Sequence, residues 1–182
     1  MNAEGGSSNF AFSTRDSHSE LWIAVRLIRG VHRPATDFFL RAESVFTAAT
    51  YLEQLPHTPG RDPLRAYGGT SLHEQSHGES FLAVMINRFD PNGFYLLDEP
   101  EAALSTQNCL TCLRRIHELV QQNSQFVVAT HSPIILAYPE ATTYHCSERG
   151  LETVDYEDAE PVRLTRSFLE ARARFLTELL RD

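Results

Sequence analysis

Residues 93–105 read Gly-Phe-Tyr-Leu-Leu-Asp-Glu-Pro-Glu-Ala-Ala-Leu-Ser, and this stretch constrains the fold more than any other. Residues 94–97 are an unbroken apolar run, preceded by the turn formers Asp90, Pro91, Asn92 and Gly93. A short apolar run after turn chemistry predicts a strand buried on both faces, the pattern of a parallel sheet between helices. Two carboxylates, Asp98 and Glu99, stand at its end, and Pro100 stops the strand. In open parallel sheets, ligands bind in the crevice beyond the carboxyl ends of the strands. An acid pair placed there can divide two tasks, one side chain holding Mg²⁺ and the other orienting water for attack on a phosphate.

Around this strand the chain alternates sheet and helix patterns. Residues 1–19 are polar and rich in Gly and Ser, so a loop is expected. Over residues 20–30, apolar Leu21, Ile23, Val25 and Leu27 fall on odd positions, which favours a strand. Trp22 and Ile28 blur the alternation and keep a helix as the competing reading. Residues 37–43 read as a strand, Ser44 as the start of a helix, and residues 55–71, rich in Pro and Gly, as a long loop. Ser76 and Glu79 have the spacing of a capping box, opening a helix with Phe81, Leu82, Met85, Ile86 and Phe89 on one face. Such a helix start also offers unpaired backbone N–H groups to a phosphate, with Gly78 permitting close approach.

After the acid pair, Ser105 is placed to cap a helix running to about Asn123, with Leu110, Leu113, Ile116 and Val120 inward. Residues 125–130 form the next apolar run and lead into His131. Strand, helix and strand then make a βαβ unit, whose two strands must be parallel. Glu99 and His131 each follow the carboxyl end of one of these strands, so they are expected to face one crevice. Ser132 and Pro133 suit the cap and first turn of another helix. Residues 142–156 predict a terminal hairpin turning at Gly150, and residues 162–180 an amphipathic helix. Cys109 and Cys112 have Cys-x-x-Cys spacing, but with only Cys146 and His145 as further candidate ligands they read as ordinary helix residues.

Four of these motifs occur in a recognisable order: Gln75-Ser76-His77-Gly78-Glu79, Leu96-Leu97-Asp98-Glu99-Pro100, Glu101-Ala102-Ala103-Leu104 and Thr130-His131-Ser132-Pro133. Together they resemble the C-terminal half of the AAA-family, ATP-binding-cassette-type ATPases of the DNA-repair and chromosome-maintenance branch. The resemblance implies an α/β P-loop NTPase fold, N-terminally truncated. Its mainly parallel sheet would be flanked by helices, with a small C-terminal hairpin and helix, as one partial domain over residues 1–182. It makes Ser76, His77, Gly78 and Glu79 the signature motif, which touches ATP held by the opposite subunit. That motif is expected on a helical lobe apart from its own acid pair. Asp98 becomes the Walker-B Mg²⁺ ligand, Glu99 the general base, residues 101–105 the loop at the dimer interface, and His131 the switch histidine. Glu43 would stand where the family has its Gln loop. His77 in place of the usual Gly, and Ser105 in place of the usual Asp, depart from a transporter pattern. ATP and Mg²⁺ are the implied cofactors, and a head-to-tail homodimer or a complete ATPase subunit the implied partner.

One departure is larger. The 16 basic residues are all Arg, so the chain has no Gly-x-x-x-x-Gly-Lys-Ser/Thr, the loop that cradles phosphates and sends its Lys to the β and γ positions. The chain therefore reads as an ATPase with its nucleotide cradle removed. Two other readings stay open: a non-hydrolytic module donating residues 76–79 to a complete subunit, and a metal-dependent phosphoesterase built on Asp98, Glu99 and His131. A net charge of −8 offers no clear nucleic-acid patch. No run reaches the ~20 apolar residues of a membrane span. Three Cys without a secretory start point to the cytoplasm.

Overall fold

In the computed structural model of the chain, the described residues are 21–26, 28, 30, 31, 33–42 and 75–181. The chain divides into two compact units, Met1–Ala129 and Thr130–Asp182. The first holds α1 (Leu21–Ala24), β1 (Thr36–Arg41), α2 (His77–Arg88), β2 (Gly93–Asp98), a 3₁₀ turn (Pro100–Ala102), α3 (Thr106–Val120) and β3 (Gln125–Ala129). The fold is α/β: among the described residues of this unit, three strands lie in the order β1-β2-β3, both pairings parallel, with helices packed against them. The register runs from Thr36 opposite Gly93 to Arg41 opposite Asp98, and Asp98 also lies opposite Ala129. The strand carrying the acid pair is thus central among the described strands, and β2, α3 and β3 form the expected parallel βαβ unit.

The core is built on one face of this sheet. Phe38, Leu40, Tyr95 and Leu97 are buried, together with Phe81, Val84, Met85 and Phe89 from α2 and its end, and Cys109, Cys112, Ile116 and Leu119 from α3. Phe89 stacks on Tyr95 at 4.1 Å between ring centres, and Phe126 tilts against Tyr95 at 5.1 Å. The Tyr95 ring lies over Gly93, where an added Cβ would collide with the ring and its hydroxyl. Only a residue without a side chain fits there. The Tyr95 hydroxyl donates to Asp90 O and accepts from Asp90 N, each at 2.7 Å, which ties the turn before β2 to the strand. Burial pushes the phenol up to about 12, so it stays a donor at any physiological pH. Buried Ser124 completes this corner, its Oγ accepting from Gly93 N at 3.0 Å.

Several sequence expectations are corrected here. Residues 21–24 are helix and not strand, the competing reading that Trp22 and Ile28 keep open in the sequence pattern. β2 alternates in burial, with Tyr95 and Leu97 buried but Phe94 and Leu96 half-buried. Among the described residues only the Tyr95 face is closed. On α2 the inward face takes Val84 in place of Ile86, which is 55% exposed. On α3, Cys109, Cys112 and Leu119 join Ile116, while Leu110 is 49% exposed. Cysteine behaves here as a small apolar residue, and counting it as one turns the inward stripe of α3. Glu43, the helix from Ser44 and the loop over 55–71 lie outside the described residues.

The second unit holds α4 (Pro133–Leu136), an antiparallel hairpin of β4 (Thr143–Ser147) and β5 (Gly150–Val154), a 3₁₀ turn (Tyr156–Asp158), α5 (Glu160–Glu170) and α6 (Arg172–Leu179). Gly150 has φ +113, the left-handed backbone expected of the hairpin turn. Ile135, Ala159 and Val162 are its buried apolar residues. Tyr156 Oη donates to Pro133 O at 3.2 Å, and Arg166 pairs with Glu157. The expected single tail helix is broken at Ala171, whose backbone leaves the helical region with φ −130 and ψ 38. Phe168 and Phe175 meet edge to face across the break, 5.9 Å apart. Among the described residues no helix is long and apolar enough to cross a membrane.

Candidate functional site

Asp98 closes β2, and its carboxylate is reached from the neighbouring strand. Arg41, the last residue of β1 and its register partner, donates from Nε to Asp98 Oδ2 at 3.0 Å. The two side chains are 35% and 36% exposed. An ion pair this open, made through one nitrogen, contributes on the order of 0–1 kcal/mol. The other neighbour of Asp98 in the sheet, Ala129, carries no charge.

Glu99 then leaves the sheet by an unusual route. Its N–H still donates to Ala129 O at 2.9 Å, continuing the β2–β3 ladder by one bond. Its own backbone has φ 47 and ψ 53, the left-handed region. For an L-residue this costs about 1–2 kcal/mol, and the following Pro100 restricts the position further. Pro100 is buried and opens the 3₁₀ turn, while Glu99 is exposed. The chain thus reverses directly beneath a solvent-facing carboxylate. Strained backbone of this kind is concentrated at functional sites because the surrounding structure must hold it.

The helix carrying residues 76–79 begins as the spacing predicts. Glu79 N donates to Ser76 Oγ at 3.4 Å, and Ser76 N donates to Glu79 Oε2 at 2.9 Å, a complete capping box. Ser76 Oγ also donates to Glu79 Oε2 at 2.6 Å. These bonds, the hydroxyl first and the backbone second, hold the Glu79 carboxyl below its ordinary value. A lowered carboxyl stabilises the fold above its unfolded-state pKa, and that contribution disappears as pH falls through the folded value.

Gly78 is buried, and an added Cβ would lie 3.0 Å from Asn108 Nδ2 and 3.1 Å from Ala103 O. The start of α2 therefore packs on the turn that follows the acid pair and on the first turn of α3. The start of α2 and the acid pair belong to one compact unit. Ser105 caps α3 as expected, its Oγ accepting from Asn108 N at 3.2 Å.

His131 opens the second unit, two residues after the end of β3, and is exposed. Ser132 next to it donates from N to Thr130 Oγ1 at 3.0 Å and caps α4 through Ile135 N at 3.5 Å. That unit also carries an open groove of about 550 Å³, lined by His145, Asp158, Glu160 and Arg163 among others. Its lining includes none of Ser76, His77, Gly78, Glu79, Asp98, Glu99 or His131. Cys109 and Cys112 are buried free thiols. Cys112 contacts Met85 Sδ at 3.6 Å, and burial pushes its thiol up to about 12. Such a thiol is protonated at physiological pH and neither a nucleophile nor a ligand.

Among the described residues no three His, Cys, Asp or Glu side chains cluster to hold a metal. One half-exposed aspartate with an adjacent exposed glutamate is still a suitable donor set for Mg²⁺. That ion keeps most of its waters and is bound through one or two carboxylates together with substrate phosphates. Arg41, which the sequence reading did not single out, is the residue that the structure places against Asp98. A signal was present: residues 38–41 end an apolar run on a positive charge, as residues 94–98 end one on a negative charge.

No protein-family model matches the chain. Over 89 residues it is 30% identical to the chromosome partition protein Smc of Methanococcus voltae. The aligned part is 46% of this chain and 7% of the Smc chain. The similarity is to a small part of a much longer protein.

Proposed function

We propose that this chain carries the Walker-B, signature and switch elements of an ATP-binding-cassette-type ATPase of the chromosome-maintenance kind, on a P-loop NTPase fold. The observation that carries this reading is the acid pair. Asp98 ends the central parallel strand, and Glu99 is held exposed in left-handed backbone immediately beyond it. The similarity to Smc, whose name describes chromosome partition, points the same way.

In this reading Asp98 holds Mg²⁺ and Glu99 is the general base. When bound, the ion would neutralise phosphate charge and align the leaving group. Glu99 accepts a proton from the attacking water, a task its exposure and its fixed position after Asp98 both serve. His131 senses the γ-phosphate. Ser76, His77 and Gly78 present hydroxyl and backbone donors to ATP on the opposite subunit of a head-to-tail dimer, with Glu79 holding the helix start in shape. The phosphate cradle, with its Lys, is contributed by sequence other than these 182 residues. The runner-up is a non-hydrolytic module that lends residues 76–79 to a complete subunit; the exposed, fully formed capping box favours it.

The test is phosphate release from ATP by the chain joined to a strand, loop and helix bearing Gly-x-x-x-x-Gly-Lys-Ser. Glu99→Gln keeps size and hydrogen-bonding reach but removes basicity. It should lower turnover by about 10²–10⁴-fold while leaving ATP-dependent dimerisation intact in sedimentation. An unchanged rate would remove Glu99 from the mechanism. Dimerisation without turnover in the unsubstituted protein would select the non-hydrolytic reading.

A further inference from the structure

We infer that Arg41 is a built-in counter-cation that holds Asp98 when no metal is bound and must be displaced for a divalent ion to enter, so that Arg41 sets the metal affinity of the site. This rests on the reading of Asp98 as a metal ligand and adds a residue which that reading does not include.

Three features of the structure converge on Arg41. Its position is not incidental, because parallel register brings the last residue of β1 opposite the last residue of β2. The contact is direct, Nε to Oδ2 at 3.0 Å, on the oxygen-bearing end that a cation would approach. It is also reversible. The pair is about one third exposed on both sides and is made through Nε, without the two parallel bonds that make guanidinium–carboxylate pairs strong. A monovalent guanidinium in such a setting yields to a divalent ion, whose attraction for the carboxylate is about twice as large at equal distance.

This guanidinium latch gives way by competition with the incoming ion. Two adjacent acids at a strand end would repel each other without a cation nearby, and across β3 the register neighbour is the uncharged Ala129. Arg41 therefore keeps the Asp98 carboxylate compensated until the metal arrives with its phosphates.

Binding of Mn²⁺ alone, followed by electron paramagnetic resonance on the 182-residue chain, tests this without relying on turnover. Arg41→Gln should bind Mn²⁺ roughly tenfold more tightly than the unsubstituted chain, the low end of what one adjacent charge does to a carboxylate site. Arg41→Lys, which keeps the charge, should stay near the unsubstituted value. Asp98→Asn added to Arg41→Gln should abolish the gain. Equal affinity in Arg41→Gln and the unsubstituted chain, or no measurable binding by Arg41→Gln, would overturn the latch. If Asp98→Asn weakened binding in that case, Asp98 would remain a ligand and only the role of Arg41 would fall. If Asp98→Asn changed nothing in any background, the ligand reading would fall as well. A second measurement needs no substitution: the Arg41 Nε–H resonance should move progressively as Mg²⁺ is added, and a resonance that stays fixed at saturating metal would also overturn the proposal.

Discussion

Glu99 combines two properties that normally exclude each other. It is a non-glycine residue in left-handed backbone, and it precedes a proline. The other described non-glycine residues with positive φ are Asn92, Asn123 and Glu140. The two asparagines tolerate that region because their short polar side chains bond locally; a glutamate gains nothing comparable. The backbone at Glu99 would be relaxed by Gly, so the carboxylate is kept at a cost in stability. Relief of about 1–2 kcal/mol of strain, less about 0.5–1 kcal/mol of extra chain entropy for Gly, leaves a net gain. Glu99→Gly should raise stability by roughly 0.5–1 kcal/mol in urea denaturation, whereas Glu99→Ala should gain little because it keeps the strained backbone. A Glu99→Gly variant less stable than its parent would mean that the carboxylate makes a stabilising contact and is not a group held ready for chemistry. The identity of this residue was legible in the sequence, but its conformation was not. A Pro after an apolar run marks the end of a strand without saying which way the chain turns.

At the scale of elements, what could be read depended on whether one residue type or a three-dimensional contact decides the outcome. The capping box at Ser76 and the caps at Ser105 and Ser132 are local chemistry, and all three form as their spacing predicts. The inward faces were read less well, because Cys109 and Cys112 were not counted as apolar and Val84 was passed over for Ile86. The C-terminal end of α2 could not be read at all. Arg115 on α3 donates to Phe89 O at 2.8 Å and to Met85 O and Ile86 O at 3.4 Å each, so one helix closes the carbonyl end of another. Arg115 also reaches Glu118 Oε2 at 3.4 Å, which fixes the guanidinium between the helices. A cation on the negative end of a helix with bonds to otherwise orphaned carbonyls is worth about 1–2 kcal/mol. Arg115→Ala should cost that amount in thermal or urea unfolding. Arg114→Ala, on the neighbouring 83%-exposed side chain paired with Glu118, should cost under ~0.5 kcal/mol. Equal effects would mean that the interhelical bonds add nothing beyond a surface charge.

At the scale of the molecule, the two units differ in how much apolar surface supports them. The first closes Phe38, Leu40, Tyr95 and Leu97 over two helices, and its central strand is paired on both edges. In the second, buried apolar residues are confined to Ile135, Ala159 and Val162 among the described residues, and the β4–β5 hairpin is exposed along most of its length. A two-stranded hairpin without a closed face is marginal in water. Opening free energy should therefore be graded along the chain, with the strand bearing the acid pair as its most protected part. Hydrogen exchange read by mass spectrometry should give the slowest amides in β2 and α3, and the fastest ordered amides in β4 and β5, at least about 10²-fold apart. The hairpin was legible from Gly150 and the flanking alternation. Its weak support was not, because burial depends on what the rest of the chain brings over it. Exchange in β4 and β5 as slow as in β2 would show that the hairpin is buried in solution, by a second copy or by another polypeptide, and the units would then share one stability.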